Sequence, residues 1–146
     1  MALVTSARKA VSSREGMRRA AASPFYPAWV DGAEADLALA RTAIAARDLP
    51  ALGRVAEHSA FKMHAVGLGI EPPLLYWRSA TVECIHRVWA LRADGAAAYV
   101  TIDAGPQVKV LCDAAGAEAV RAALTEVPGV ERVLVCGPGS GATVVA

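Results

Sequence analysis

The apolar positions of this chain change rhythm once. Up to Arg92 they recur every three or four residues, the spacing of one face of a helix, and from Ala97 they gather in short β-branched runs. Residues 31–47 carry Leu37, Leu39, Ala40, Ala43 and Ile44 on the face expected to be buried, with Asp31, Glu34 and Asp36 near the positive end of the helix dipole. Pro50 is expected to stop this helix, because proline disfavours helical geometry in the residue before it. The same rhythm returns in 51–66 and again in 74–92, the latter through Leu75, Ala80, Val82, Cys84, Ile85, Val88, Trp89 and Leu91. Beyond Gly95, residues 97–102 and 107–112 read as strands around an Asp-Ala-Gly-Pro turn, 114–126 as a helix, and 130–135 and 143–145 as short strands. Residues 2–6 also read as a strand, one that begins at Met1 as if its neighbours lay upstream. Helices first and strands later predict an α+β class, with helices packed on one face of a mostly antiparallel sheet.

Composition narrows the function classes. With 146 residues, one core is expected. Hydrophobic residues make up 55% of the chain and the net charge is +1, which excludes disorder and a broad nucleic-acid footprint. No run approaches the roughly 18 apolar residues of a membrane span, and the opening segment is too short for a secretory signal, so no membrane association and a cytoplasmic location are expected. Cys84, Cys112 and Cys136 match no metal-ligand spacing and read as buried free thiols, while His58, His64 and His86 read as structural.

Two segments carry candidate chemistry. Asp103 ends a β-rich run just before Gly105-Pro106, which places a carboxylate where a strand opens into a loop; such a carboxylate either makes the turn or acts as a base. In Val11-Ser-Ser-Arg-Glu-Gly-Met17, Ser12 or Ser13 can cap a following helix, with Glu15 in its first turn. A capped helix start also presents free N–H groups to an anion, and Arg14 adds a guanidinium suited to phosphate or carboxylate. The small residues of 137–141 lack a following lysine and read as a turn rather than a phosphate cradle.

These segments recur in a known order. Val11-Ser-Ser-Arg-Glu-Gly-Met17, Ser23-Pro-Phe-Tyr26 with Trp29, Lys62-Met-His-Ala65, Pro72-Pro73 with Tyr76, and Tyr99-Val-Thr-Ile-Asp-Ala-Gly-Pro106 with Val108-Lys109 resemble the C-terminal half of diphosphomevalonate decarboxylases. The resemblance implies a GHMP-kinase C-terminal, ferredoxin-like domain. It implies an ATP- and Mg2+-dependent conversion of mevalonate 5-diphosphate to isopentenyl diphosphate, carbon dioxide and phosphate. Asp103 then matches the catalytic aspartate that aligns the 3-hydroxyl, and Ser12, Ser13, Arg14, Gly16, Met17, Ala104 and Gly105 match substrate-facing positions. The family's nucleotide loop has no counterpart here. Residues 1–11 are therefore expected to be the remnant strand of a missing N-terminal half and 12–146 the substrate-facing domain, inactive alone and needing a complementary half or full-length partner, the complete enzyme being a homodimer. Related readings are a mevalonate-phosphate kinase, a phosphomevalonate decarboxylase, or a non-catalytic ferredoxin-like interaction module. An unpaired opening strand is expected to leave an exposed edge.

Overall fold

The computed structural model describes residues 1–144. Its elements run β1 (Ala2–Leu3), α1 (Ser13–Ala20), α2 (Tyr26–Ala46), α3 (Leu49–Leu68), α4 (Ser79–Ala93), β2 (Ala98–Thr101), β3 (Lys109–Cys112), α5 (Ala117–Thr125) and β4 (Arg132–Val133). The strands pair antiparallel as β1 with β4 and β2 with β3. A bridge between Ala2 and Val108, closed by reciprocal backbone hydrogen bonds of 2.7 and 3.2 Å, joins the two ribbons in the order β4, β1, β3, β2. The expected α+β class holds, and the order is that of a ferredoxin-like sheet with α1 to α4 inserted between the first two strands.

The opening strand is not an open edge. Ala2 is fully buried between its two neighbours, and the N-terminal ammonium donates to the Leu134 carbonyl at 2.7 Å. The expected edge at residues 2–6 is corrected by pairing with segments more than a hundred positions away.

Local rules account for most boundaries. Ser12 caps α1 by accepting from the Glu15 amide, and Asp48 caps α3 by accepting from the Ala51 amide. α2 starts at Tyr26 rather than near residue 31, because Pro27 sits in its first turn, where a missing N–H costs nothing. It ends at Ala46, with Arg47 in the left-handed conformation at φ 54°. Residues 74–78, read as helical from their spacing, are irregular, and α4 begins only at Ser79. The span read as a strand at 130–135 shortens to Arg132–Val133. Thr143 and Val144 are irregular, and Val145 of that expected strand lies outside the described residues.

The core lies between α4, α5 and the sheet: Thr81, Cys84, Val88, Val100, Val108 and Leu124 are almost wholly excluded from solvent. Glu57 of α3 ties three elements together. It accepts two hydrogen bonds from Arg92, one from Trp89 Nε1 at 3.2 Å and one from the Val100 amide at 2.8 Å. α2 forms an outer layer on α3, held by the Lys62–Asp36 ion pair. Its face differs from expectation: Leu37, Leu39 and Ile44 are exposed, and Ala43 is its buried residue. Of the thiols, Cys84 is buried and its pKa is pushed up to about 11 by desolvation and by Glu83, but Cys112 is half-buried and Cys136 exposed.

Candidate active site

Asp103 follows β2 by two residues, and the register decides what it meets. Thr101 pairs with Lys109, so Asp103 lies diagonally across from Lys109 on the same face of the ribbon. The Lys109 ammonium meets Asp103 Oδ2 at 2.5 Å, while the Asp103 side chain stays 81% exposed. The turn that carries it is anchored along its length. Buried Thr81, in the first turn of α4, donates to the Pro106 carbonyl at 2.8 Å. His64 Nε2 lies 3.3 Å from the Ile102 carbonyl, a contact that requires the nitrogen to carry the proton. Burial lowers the His64 pKa below its ordinary 6.5, against the carbonyls of Ile102 and Asp103 and the Asp103 charge, which raise it.

The segment after β1 closes the other side. Gln107 receives the Val4 amide at 2.6 Å and donates to the Thr5 carbonyl at 2.5 Å, which pins this segment beside the turn. Lys9 then reaches across, donating to Ser13 Oγ at 2.7 Å and to the Ala104 carbonyl at 2.5 Å, with its ammonium 5.4 Å from the Tyr76 ring centre. The result is a hollow of about 320 Å³ lined by Lys9, Ser13, Asp103, Ala104, Gly105 and Lys109 among others.

A tighter hollow lies alongside, walled by Gly16, Met17, His64, Leu74, Tyr76 and Ala104. Gly16 is needed there, because a Cβ would land on the Tyr76 hydroxyl. That hydroxyl lies 3.3 Å from the Ser12 carbonyl as donor and fixes the start of α1 against the loop before α4.

Of the residues singled out from sequence, Ser13, Asp103, Ala104 and Gly105 share the larger hollow, and Gly16, Met17 and Ala104 share the smaller. Ser12 is the helix cap, and Arg14 is exposed and lines neither hollow. Sequence reasoning did not single out Lys9, Gln107, Thr81 or Tyr76 for these contacts. Lys9 stands four residues before Ser13 in a segment without regular structure, and no periodicity marks it. The arrangement offers two ammonium groups, a hydroxyl and an ionisable carboxyl around one solvent-open space. That set suits a substrate combining a hydroxyl with negative charge.

Comparison with known proteins agrees with this chemistry. A family model described as the mevalonate 5-diphosphate decarboxylase C-terminal domain matches residues 1–136. The solved mevalonate diphosphate decarboxylase from Enterococcus faecalis is 40% identical, with a TM-score of 0.75 over 79% of this chain and 36% of that one. The one from Staphylococcus aureus is 35% identical, with a TM-score of 0.78 over 83% and 37%. A structure described as MDDEF in complex with MVAPP, AMPPCP and magnesium is 40% identical, with a TM-score of 0.80 over 86% and 38%. The chain thus spans less than two fifths of the length of each of these relatives. Comparison with curated proteins gives no match.

Proposed function

This chain belongs to the mevalonate 5-diphosphate decarboxylase family through its C-terminal domain, and we propose that it is the substrate-facing part of an ATP-dependent decarboxylase acting on mevalonate 5-diphosphate. The single observation that supports this most is the convergence of Lys9, Ser13 and Asp103 on one hollow. Asp103 holds Lys109 through Oδ2, which leaves Oδ1 to accept a hydrogen bond from the substrate's tertiary hydroxyl. Phosphoryl transfer depends more on an aligned nucleophile than on a strong base, so an exposed carboxylate held in one orientation suffices. As the oxygen bonds to the terminal phosphorus of ATP, the bond from that phosphorus to the departing ADP would break and the hydroxyl proton would pass to Asp103. Departure of phosphate and carbon dioxide then leaves isopentenyl diphosphate.

Lys9 and Ser13 present a positive charge and a donor to the phosphoryl oxygens, where negative charge gathers. Arg14, exposed one residue further on, is assigned the solvent side of that charge, and Ser12 keeps the helix start in place. Gly16 and Met17, in the tighter hollow, take the apolar side of the substrate.

Among the described residues no three His, Cys, Asp or Glu side chains converge, and residues 137–141 form an exposed irregular segment. The family's nucleotide loop has no counterpart in this sequence, so we assign the main ATP and Mg2+ contacts to the part of the relatives that this chain does not span. The test combines this chain with the N-terminal part of the Enterococcus faecalis relative and follows carbon dioxide release from radiolabelled mevalonate 5-diphosphate. Release should require ATP and both parts, with none from this chain alone. Release by this chain alone, or none from an assembly that binds both substrates, would overturn the reading.

A further inference from the structure

Residues 73–78 belong to no helix or strand, yet they are held at both ends. The Leu74 amide donates to the Gly67 carbonyl at 2.9 Å, and the Arg78 amide donates to the Thr81 hydroxyl oxygen at 3.1 Å. Between them the Trp77 ring lies 5.6 Å from that of Phe61 and 4.8 Å from that of His64, which fixes the segment against α3. Tyr76 is thus presented on a firm backing. Its half-buried side chain joins pieces of the site that are otherwise separate. The hydroxyl donates to the Ser12 carbonyl at the start of α1 and fills the space that Gly16 leaves open. The ring meets His64, the residue that reaches the Ile102 carbonyl beside Asp103, and lies 5.4 Å from the Lys9 ammonium.

Lys9 needs such a support. Its long flexible side chain leaves a segment without regular structure. The two acceptors of its ammonium, Ser13 Oγ and the Ala104 carbonyl, belong to different pieces, α1 and the turn after β2. The ammonium can bridge them only if their separation is fixed, and Tyr76 spans that separation through Ser12 on one side and His64 on the other. A ring also differs from a carboxylate as the neighbour of a cation. It attracts the ammonium through its negative face, yet carries no charge to cancel and leaves the N–H groups free. An ammonium has three donors and two are used here, so one N–H and the whole charge stay available to a phosphoryl oxygen. We infer that Tyr76 is a positioning residue for the proposed phosphoryl transfer, setting the Lys9 ammonium between Ser13 and the Asp103 turn with that N–H free. The inference rests on the assignment of Lys9 to the phosphoryl oxygens.

Single-turnover phosphoryl transfer in the assembly with the N-terminal part of the Enterococcus faecalis relative tests it, with circular dichroism confirming that each variant is folded. Lys9→Met should slow transfer by about 10²-fold. Tyr76→Leu should slow it by about tenfold with little change in the dissociation constant for mevalonate 5-diphosphate, whereas Tyr76→Phe, which keeps the ring, should recover most of that loss. In Lys9→Met chains, Tyr76→Leu should cost nothing further, because no ammonium is left to place. Trifluorophenylalanine in place of Tyr76 serves if Tyr76→Leu does not fold: it has the shape of phenylalanine with a weakened negative face, and should be about threefold slower than Tyr76→Phe. Equal rates for those two aromatic variants, or an equal slowing by Tyr76→Leu with and without Lys9, would overturn the inference and leave Tyr76 as a prop of the fold. So would a Tyr76→Leu chain that keeps the unaltered rate. An unaltered rate in Lys9→Met would instead sink the assignment of Lys9, and this inference with it.

Discussion

At the scale of single residues, the candidate site depends on side chains that hold one turn in place. His64 is buried and its neutral form is favoured by desolvation, so its Nε2–H can stay on the Ile102 carbonyl one residue before Asp103. The sign of the pH effect follows from that lowered pKa. Above 6.5 the imidazole is neutral in both folded and unfolded chains, and stability is unaffected by it. As pH falls through 6.5 the unfolded chain binds a proton that the folded chain resists, so stability is lost. Urea midpoints at pH about 7.5 and about 5.5 should therefore differ less in His64→Gln than in the unaltered chain. Equal pH dependence in the two would remove His64 from the acid sensitivity of the fold. Asp103 was legible as a candidate because a carboxylate before Gly105-Pro106 at a strand end is a local signal, which by itself fits a turn-maker as well as a base. Lys9 and Gln107 were not, because their importance comes from contacts about a hundred residues away along the chain.

At the scale of elements, caps and proline positions were readable and faces less so. Ser12 and Asp48 cap their helices as their residue type suggests, yet a period of three to four residues does not say which side of α2 meets its neighbour. The answer lies in α3, which offers Lys62 to Asp36. Close approach governs α3. Gly53 is buried in the helix where a Cβ would land on the Tyr99 ring of β2. Two effects compete at Gly53→Ala. Helix propensity favours alanine by about 1 kcal/mol, while forcing the ring and helix apart costs about 1–3 kcal/mol. The overlap falls on a ring that is itself buried, so we expect net destabilisation, read as a lower urea midpoint. A stabilised Gly53→Ala would show that α3 and β2 are less tightly packed than described.

At the scale of the whole molecule, the α+β class and the succession of elements were legible, whereas the order of strands was not. Strand order depends on the bridge from Ala2 to Val108, and that pairing has no local signature. The bridge also matters to the site: it sets the chain after β1 beside the turn after β2, so Lys9, Ser13 and Asp103 meet although 94 positions separate the first from the last. The family match over residues 1–136 covers all three. Single-turnover phosphoryl transfer in the assembly of this chain with the N-terminal part of a relative, compared between the unaltered chain and Asp103→Asn, probes that meeting most directly. The rate should fall by about 10²–10⁴-fold while the dissociation constant for mevalonate 5-diphosphate changes little. A rate close to that of the unaltered chain would contradict a role for Asp103 in aligning the substrate hydroxyl.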